Sequence, residues 1–202
     1  MPDPVDFNSS MLPIGMVMFA ITVGGALRKR AGHIVARAHY PKLAEELGLS
    51  LTASRYASGV GKLTGTFQGF SVTVDPDDQR QIRVSFSRPV GVELWMHEHN
   101  KRPPPGMRTF RPKSSALASL FRTAHGEEEA ISKLEAAPDL DELAKLRRLR
   151  PLKSLSVTDR GVTAVLDYGS PPFIPADVVR SLLPRLVQLA RVFDEPMDSP
   201  ES

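Results

Sequence analysis

The chain has 202 residues, 41% hydrophobic and 24% charged, enough for one ordinary domain with a core plus a terminal appendage and too few for two full domains. It has no cysteine, which excludes a disulfide scaffold, a thiolate zinc site, an iron–sulfur cluster and a cysteine nucleophile together. The formal charge of +3 is unevenly spread: Asp3 and Asp6 make residues 1–10 acidic, Arg28, Lys29, Arg30, Arg37 and Lys42 make residues 28–42 basic, and residues 43–202 are formally neutral. The basic character belongs to one collar, so no nucleic-acid partner is expected of the body.

After the short tail of residues 1–10, "MLPIGMVMFAITVGGALRKR" opens with a run from Met11 to Leu27 that holds no charged residue. As a helix this run covers roughly 25 Å, near the lower limit for a bilayer core of about 30 Å. Pro13 falls in the first turn, where its missing N–H is tolerated. Ala20 and Gly24 form a small-xxx-small pair of the kind that lets membrane helices approach closely. The run is apolar all round, whereas a helix on a soluble core shows one polar face. A cleaved secretory signal carries its cations ahead of the apolar stretch, and here the only charges ahead are acids. Residues 11–27 therefore read as a single transmembrane helix in contact with the lipid bilayer, and residues 28–42 as a juxtamembrane collar that stops translocation or lies on anionic headgroups. Positive residues stay inside, so the N-terminus is expected outside and the remainder cytoplasmic.

Residues 43–194 read as one globular domain. A short helix through Leu43, Ala44 and Leu47 ends at Gly48. Alternation then marks strands through Leu63 and Phe67 and through Phe70, Val72 and Val74, joined by Gln68 and Gly69 as a tight turn. Ile82, Val84 and Phe86 mark a third strand after the turn-rich "DPDDQ", and Val92, Leu94 and Met96 a fourth. "HNKRPPPGMRTFRPKSS" breaks all periodicity and reads as a long loop. "SALASLFRTA", "EEEAISKLEA" and "LDELAKLRRL" read as helical pieces. Leu155 and Val157 are expected to pair with Val162 and Val165 across "DRG". A last amphipathic helix, from about Pro175 to Phe193, buries Val178, Val179, Leu182, Leu183, Leu186 and Leu189, with Pro184 inside it. Residues 195–202 read as a disordered polar tail.

The expected fold class is α+β: an antiparallel sheet built from two hairpin-containing strand groups and covered by helices on one face. In outline it resembles the helix–strand–helix sandwiches of secretion chaperones, a likeness of fold alone.

Candidate chemistry is sparse. In "WMHEHNK", His97 and His99 at i and i+2 on a strand share a face and could begin a metal site, but a third or fourth ligand has to come from His33, His39, His125 or scattered acids. "ASGVGKLTG" lacks the phosphate-loop pattern, since Leu63 follows Lys62 and a strand follows the lysine, so it reads as glycine-rich turn chemistry. "KLRRLR" ends a segment whose acids come first and cations last, as the helix dipole favours, over a stripe of Leu140, Leu143, Leu146 and Leu149; a surface helix accounts for it. "KRPPPGMRTFRPK" reads as a spacer or a polyproline-type recognition element. Trp95 is the one tryptophan, so no stacking platform for bases is evident.

No catalytic, cofactor-binding or metal residues are assigned and no cofactor is expected. The functional expectation is a non-enzymatic, membrane-anchored module that binds or scaffolds an unknown protein at the cytoplasmic face. The alternatives are a metal-binding or enzymatic domain using the His97/His99 region, or a soluble subunit whose N-terminal apolar helix is buried in a partner.

Overall fold

The computed structural model describes residues 38–54, 59–98, 105–113, 118–119, 121–137, 152–167 and 173–194. The expected transmembrane helix at 11–27, most of the basic collar, His99, the triple proline's first residues, the helix expected at 140–149 and the tail at 195–202 lie outside them. The described residues form an α+β fold around one nine-stranded antiparallel sheet.

Helix α1 occupies residues 38–47. Its end is a Schellman motif: Gly48 takes the left-handed conformation at φ 65°, the Leu49 N–H donates to the Ala44 carbonyl at 2.8 Å, and the Gly48 N–H donates to the Glu45 carbonyl at 3.2 Å. Glycine is required there because a Cβ disfavours this conformation. Tyr40, within the stretch read as collar, is fully buried, so the folded body begins before residue 43.

β1 (Ser50–Thr52), β2 (Lys62–Phe67), β3 (Phe70–Asp75) and β4 (Gln81–Ser85) follow as a meander. Gln68 and Gly69 carry φ values of 50° and 90°, the positive pair of a type I′ turn whose twist matches that of the flanking strands. β5 (Leu94–His97), β6 (Arg108–Phe110) and β7 (Thr123–Gly126) form a second group in which β7 lies between the other two. Helix α2 (Glu128–Ala136) follows, burying Ala130, Ile131 and Leu134 on one stripe. The hairpin β8 (Leu152–Thr158) and β9 (Gly161–Leu166) comes last in sequence among the strands, yet it is inserted between the two groups, giving the order β1-β2-β3-β4-β9-β8-β5-β7-β6.

The joint at this inserted hairpin is tight. Gly161 lies opposite Ser85, and a Cβ built on it would stand 2.1 Å from the Val84 carbonyl oxygen, so no side chain fits between β9 and β4. The Phe86 N–H donates to the Arg160 carbonyl at 3.2 Å and extends the contact into the turn.

Directly opposed residues share a face. Val74, Ile82, Ala164, Leu155 and Met96 form one such row, and Val72, Val84, Val162, Val157 and Leu94 the next; all ten are buried. Helix α3 (Ala176–Asp194) lays its stripe of Val179, Leu182, Leu183, Leu186 and Phe193 into this core, against β4 and β9, with α2 beside it. Pro184 inside α3 has no N–H to donate to the Arg180 carbonyl, and one turn back the Arg185 guanidinium donates to the Ser181 carbonyl at 3.1 Å.

Three details differ from the expectation. β6 lies in the stretch read as loop, and β7 takes the end of the stretch "SALASLFRTA" read as helix. In the second hairpin Ala164, not Val165, faces Leu155; Val165 lies opposite Ser154 and Gln81 on the other face.

Candidate functional site

The face of the sheet away from the core rows is polar. Thr73, Arg83, Thr163, Ser156, Trp95, His125 and Thr109 stand directly opposite one another in a single row from β3 to β6. A parallel row runs through Gln81, Val165, Ser154, His97 and Thr123. Such alternation of apolar and polar faces is the strand periodicity of two.

Trp95 and His97, two residues apart on β5, stack with ring centroids 6.1 Å apart and an interplanar angle of 21°. His125 is 2% exposed, and its Nδ1 shares a hydrogen bond with Thr109 Oγ at 3.1 Å. The Trp95 Nε1–H is buried without an acceptor among the described residues. The described ring contact of His97 is thus with Trp95, whose partner across the strand pair is His125. Among the described residues no three His, Asp or Glu side chains converge as a metal would need.

The glycine-rich segment before β2 meets the "DPDD" turn. The Asp77 carboxylate accepts from the N–H groups of Val60 and Gly61, which fixes the chain where it enters β2. Lys62, the first residue of that strand, places Nζ 2.7 Å from Asp75 Oδ2, and the other Asp75 oxygen accepts from the Asp78 N–H at 3.1 Å. Asp75 is 2% exposed, so this ion pair compensates a buried carboxylate. Thr52, Ser54, Lys62, Asp75 and Asp77 line a recess of about 300 Å³ beside it. Lys62, Asp75 and Asp77 hold the start of β2 to the turn after β3, Asp77 Oδ1 is buried with no hydrogen-bond partner among the described residues, and a strand rather than a helix follows the lysine.

A second recess, of about 580 Å³, lies at the other end of the sheet, where the chain leaves β6 and enters β7. Phe110, Arg111, Pro112, Ser119, Phe121 and Arg122 are among its lining residues. Thr109 to Pro112, from the segment singled out in the sequence as proline-rich and basic, line this concave surface. Arg122, 11 positions beyond Arg111 in the chain, joins the recess because β6 and β7 are paired.

No family description matches the sequence, and no curated protein matches it. Among solved structures the chain is similar to the crystal structure of the mycobacterial trehalose monomycolate transport factor A, TtfA, with a TM-score of 0.51 over 81% of this chain and 98% of that one, at 11% sequence identity. At that identity the likeness is one of fold, and it extends over nearly the whole of the solved chain.

Proposed function

We propose that this protein is a non-catalytic binding factor anchored in a membrane by one N-terminal helix, with its α+β domain on the cytoplasmic side, where it engages a protein partner. The observation that carries this reading is the charge-free run Met11–Leu27, preceded by Asp3 and Asp6 and followed at once by Arg28, Lys29 and Arg30. That order is the one the positive-inside rule assigns to an outward N-terminus. None of the described helices is long and apolar enough to cross a membrane, so the anchor rests on residues 11–27. A fold shared with a protein named as a transport factor favours an accessory role over an active site. Tethering raises the effective concentration of the domain for a partner at the same surface.

Fractionation tests it. The full chain is expected to stay with membranes through carbonate and high-salt washes, and protease added to right-side-out vesicles should leave the domain intact. Release by carbonate, or digestion of the domain from outside, would overturn the anchor or its orientation respectively.

A further inference from the structure

We propose that the recess at the β6 edge is the partner-binding site, and that it takes an acidic, extended segment of another protein, added beside β6 with carboxylates directed at Arg111 and Arg122. The proposal rests on the protein-binding reading above and names the site and the chemistry of its ligand.

The first support is charge. From His99 to Gly126 the sequence holds six Lys or Arg and no Asp or Glu. The fold disposes of the four described ones in two ways. Arg108 pairs with Glu128, and Lys113 places Nζ 2.6 Å from Glu135; both acids belong to α2. Arg111 and Arg122, which line the recess, are exposed and have no carboxylate partner among the described residues. Two guanidinium groups without a carboxylate among the described residues at one concave site, in a body that is formally neutral from residue 43 onward, favour a locally acidic ligand over a polyanion read by a broad basic surface.

The second support is backbone. β6 is the terminal strand of the sheet order, and among the described residues it pairs with β7 alone. Its outer N–H and C=O groups are the template for an added strand. In such a strand alternate side chains point the same way, so acids at i and i+2 would lie on one side. The apolar lining is supplied by Phe121 and Pro112, both buried, and half-buried Phe110. An apolar lining that also carries the two arginines suits acids alternating with apolar residues.

The test uses the full chain in nanodiscs of neutral phosphatidylcholine and a fluorescein-labelled nonapeptide of alternating Glu and Val, followed by fluorescence anisotropy. Saturable, salt-weakened binding is expected, with none for the Lys/Val counterpart and none for a Glu/Val peptide N-methylated at alternate residues. Arg111→Glu with Arg122→Glu should lower affinity by about tenfold or more, Arg111→Gln with Arg122→Gln should lower it less, and Arg88→Glu, an exposed change elsewhere, should leave it as it was. Equal binding of both peptides, an unchanged affinity in the double variants with an unchanged melting temperature, or loss of peptide binding in discs containing phosphatidylglycerol would overturn the proposal. The last result would hand the arginines to lipid. Peptide binding by a chain that carbonate strips from membranes would remove the anchor and leave the groove standing; membrane retention without peptide binding would do the reverse.

Discussion

Tyr40 and Ile174, 134 positions apart, are joined by a buried hydrogen bond of 2.7 Å from the tyrosine hydroxyl to the isoleucine carbonyl. The bond fastens α1 to the segment that leads into α3, and the Arg180–Glu46 pair at 2.6 Å lies on the exposed side of the same contact. Removing the hydroxyl leaves a buried carbonyl without its donor, which costs about 1–3 kcal/mol. Tyr40→Phe is therefore expected to lower stability by that amount in urea denaturation. Glu46→Ala should cost less than about 1 kcal/mol, since an exposed ion pair contributes little. A larger effect from the surface pair than from the buried hydroxyl would contradict this account of how α1 is held.

The Lys62–Asp75 pair gives a prediction of opposite character. Asp75 is buried whereas Lys62 is half-exposed, so the pair is worth less than a fully buried one and solvent discounts its loss. Lys62→Met should destabilise by about 1–3 kcal/mol, because the carboxylate stays buried without its counter-ion. Adding Asp75→Asn should recover part of that loss. The Oδ1 contact to the Asp78 N–H survives the change to an amide, so the double variant isolates the charge. A double variant less stable than Lys62→Met would show that the lysine matters for packing alone.

Gly161 and Gly69 separate two causes of glycine preference. Gly69 has φ of 90° and open space where a Cβ would stand, whereas at Gly161 a Cβ would overlap the Val84 carbonyl. Gly69→Ala should cost about 1–2 kcal/mol, the ordinary penalty of that conformation. Gly161→Ala should cost distinctly more, because β9 must move away from β4. Thermal melting of the two variants side by side checks the order.

Much of the fold could be read from pattern. The β2–β3 and β8–β9 hairpins combine strand alternation with turn chemistry, α3 repeats apolar residues at helical spacing, and Gly48 marks the end of α1. The short strands could not be read so. β1 and β6 are three-residue edge strands, and every residue of β7, "TAHG", is buried, so no alternation survives to mark it. Without β7 the sequence offers no reason to place His125 beside Trp95, or Arg122 in one recess with Arg111. The pairings β4 with β9 and β5 with β8 join distant segments and leave no local trace. His97 stood out for its histidine neighbour two residues on, but its described companion is the tryptophan two residues back.

Register within β9 yields the sharpest comparison. The sequence reading turned Val165 toward the core, yet the pairings turn Val162 and Ala164 inward and leave Val165 opposite Gln81 and Ser154. Val162 is 0% exposed and faces Val84 and Val157, none of which can accept or donate through its side chain. A threonine there would bury a hydroxyl among methyl groups at about 1–3 kcal/mol. At residue 165 the same hydroxyl would stand between an amide and a serine, so Val165→Thr should change stability by less than about 0.5 kcal/mol, as surface substitutions commonly do. A one-residue slip would exchange the two faces, so the variants would then exchange their effects. Urea midpoints for Val162→Thr and Val165→Thr thus measure the register directly.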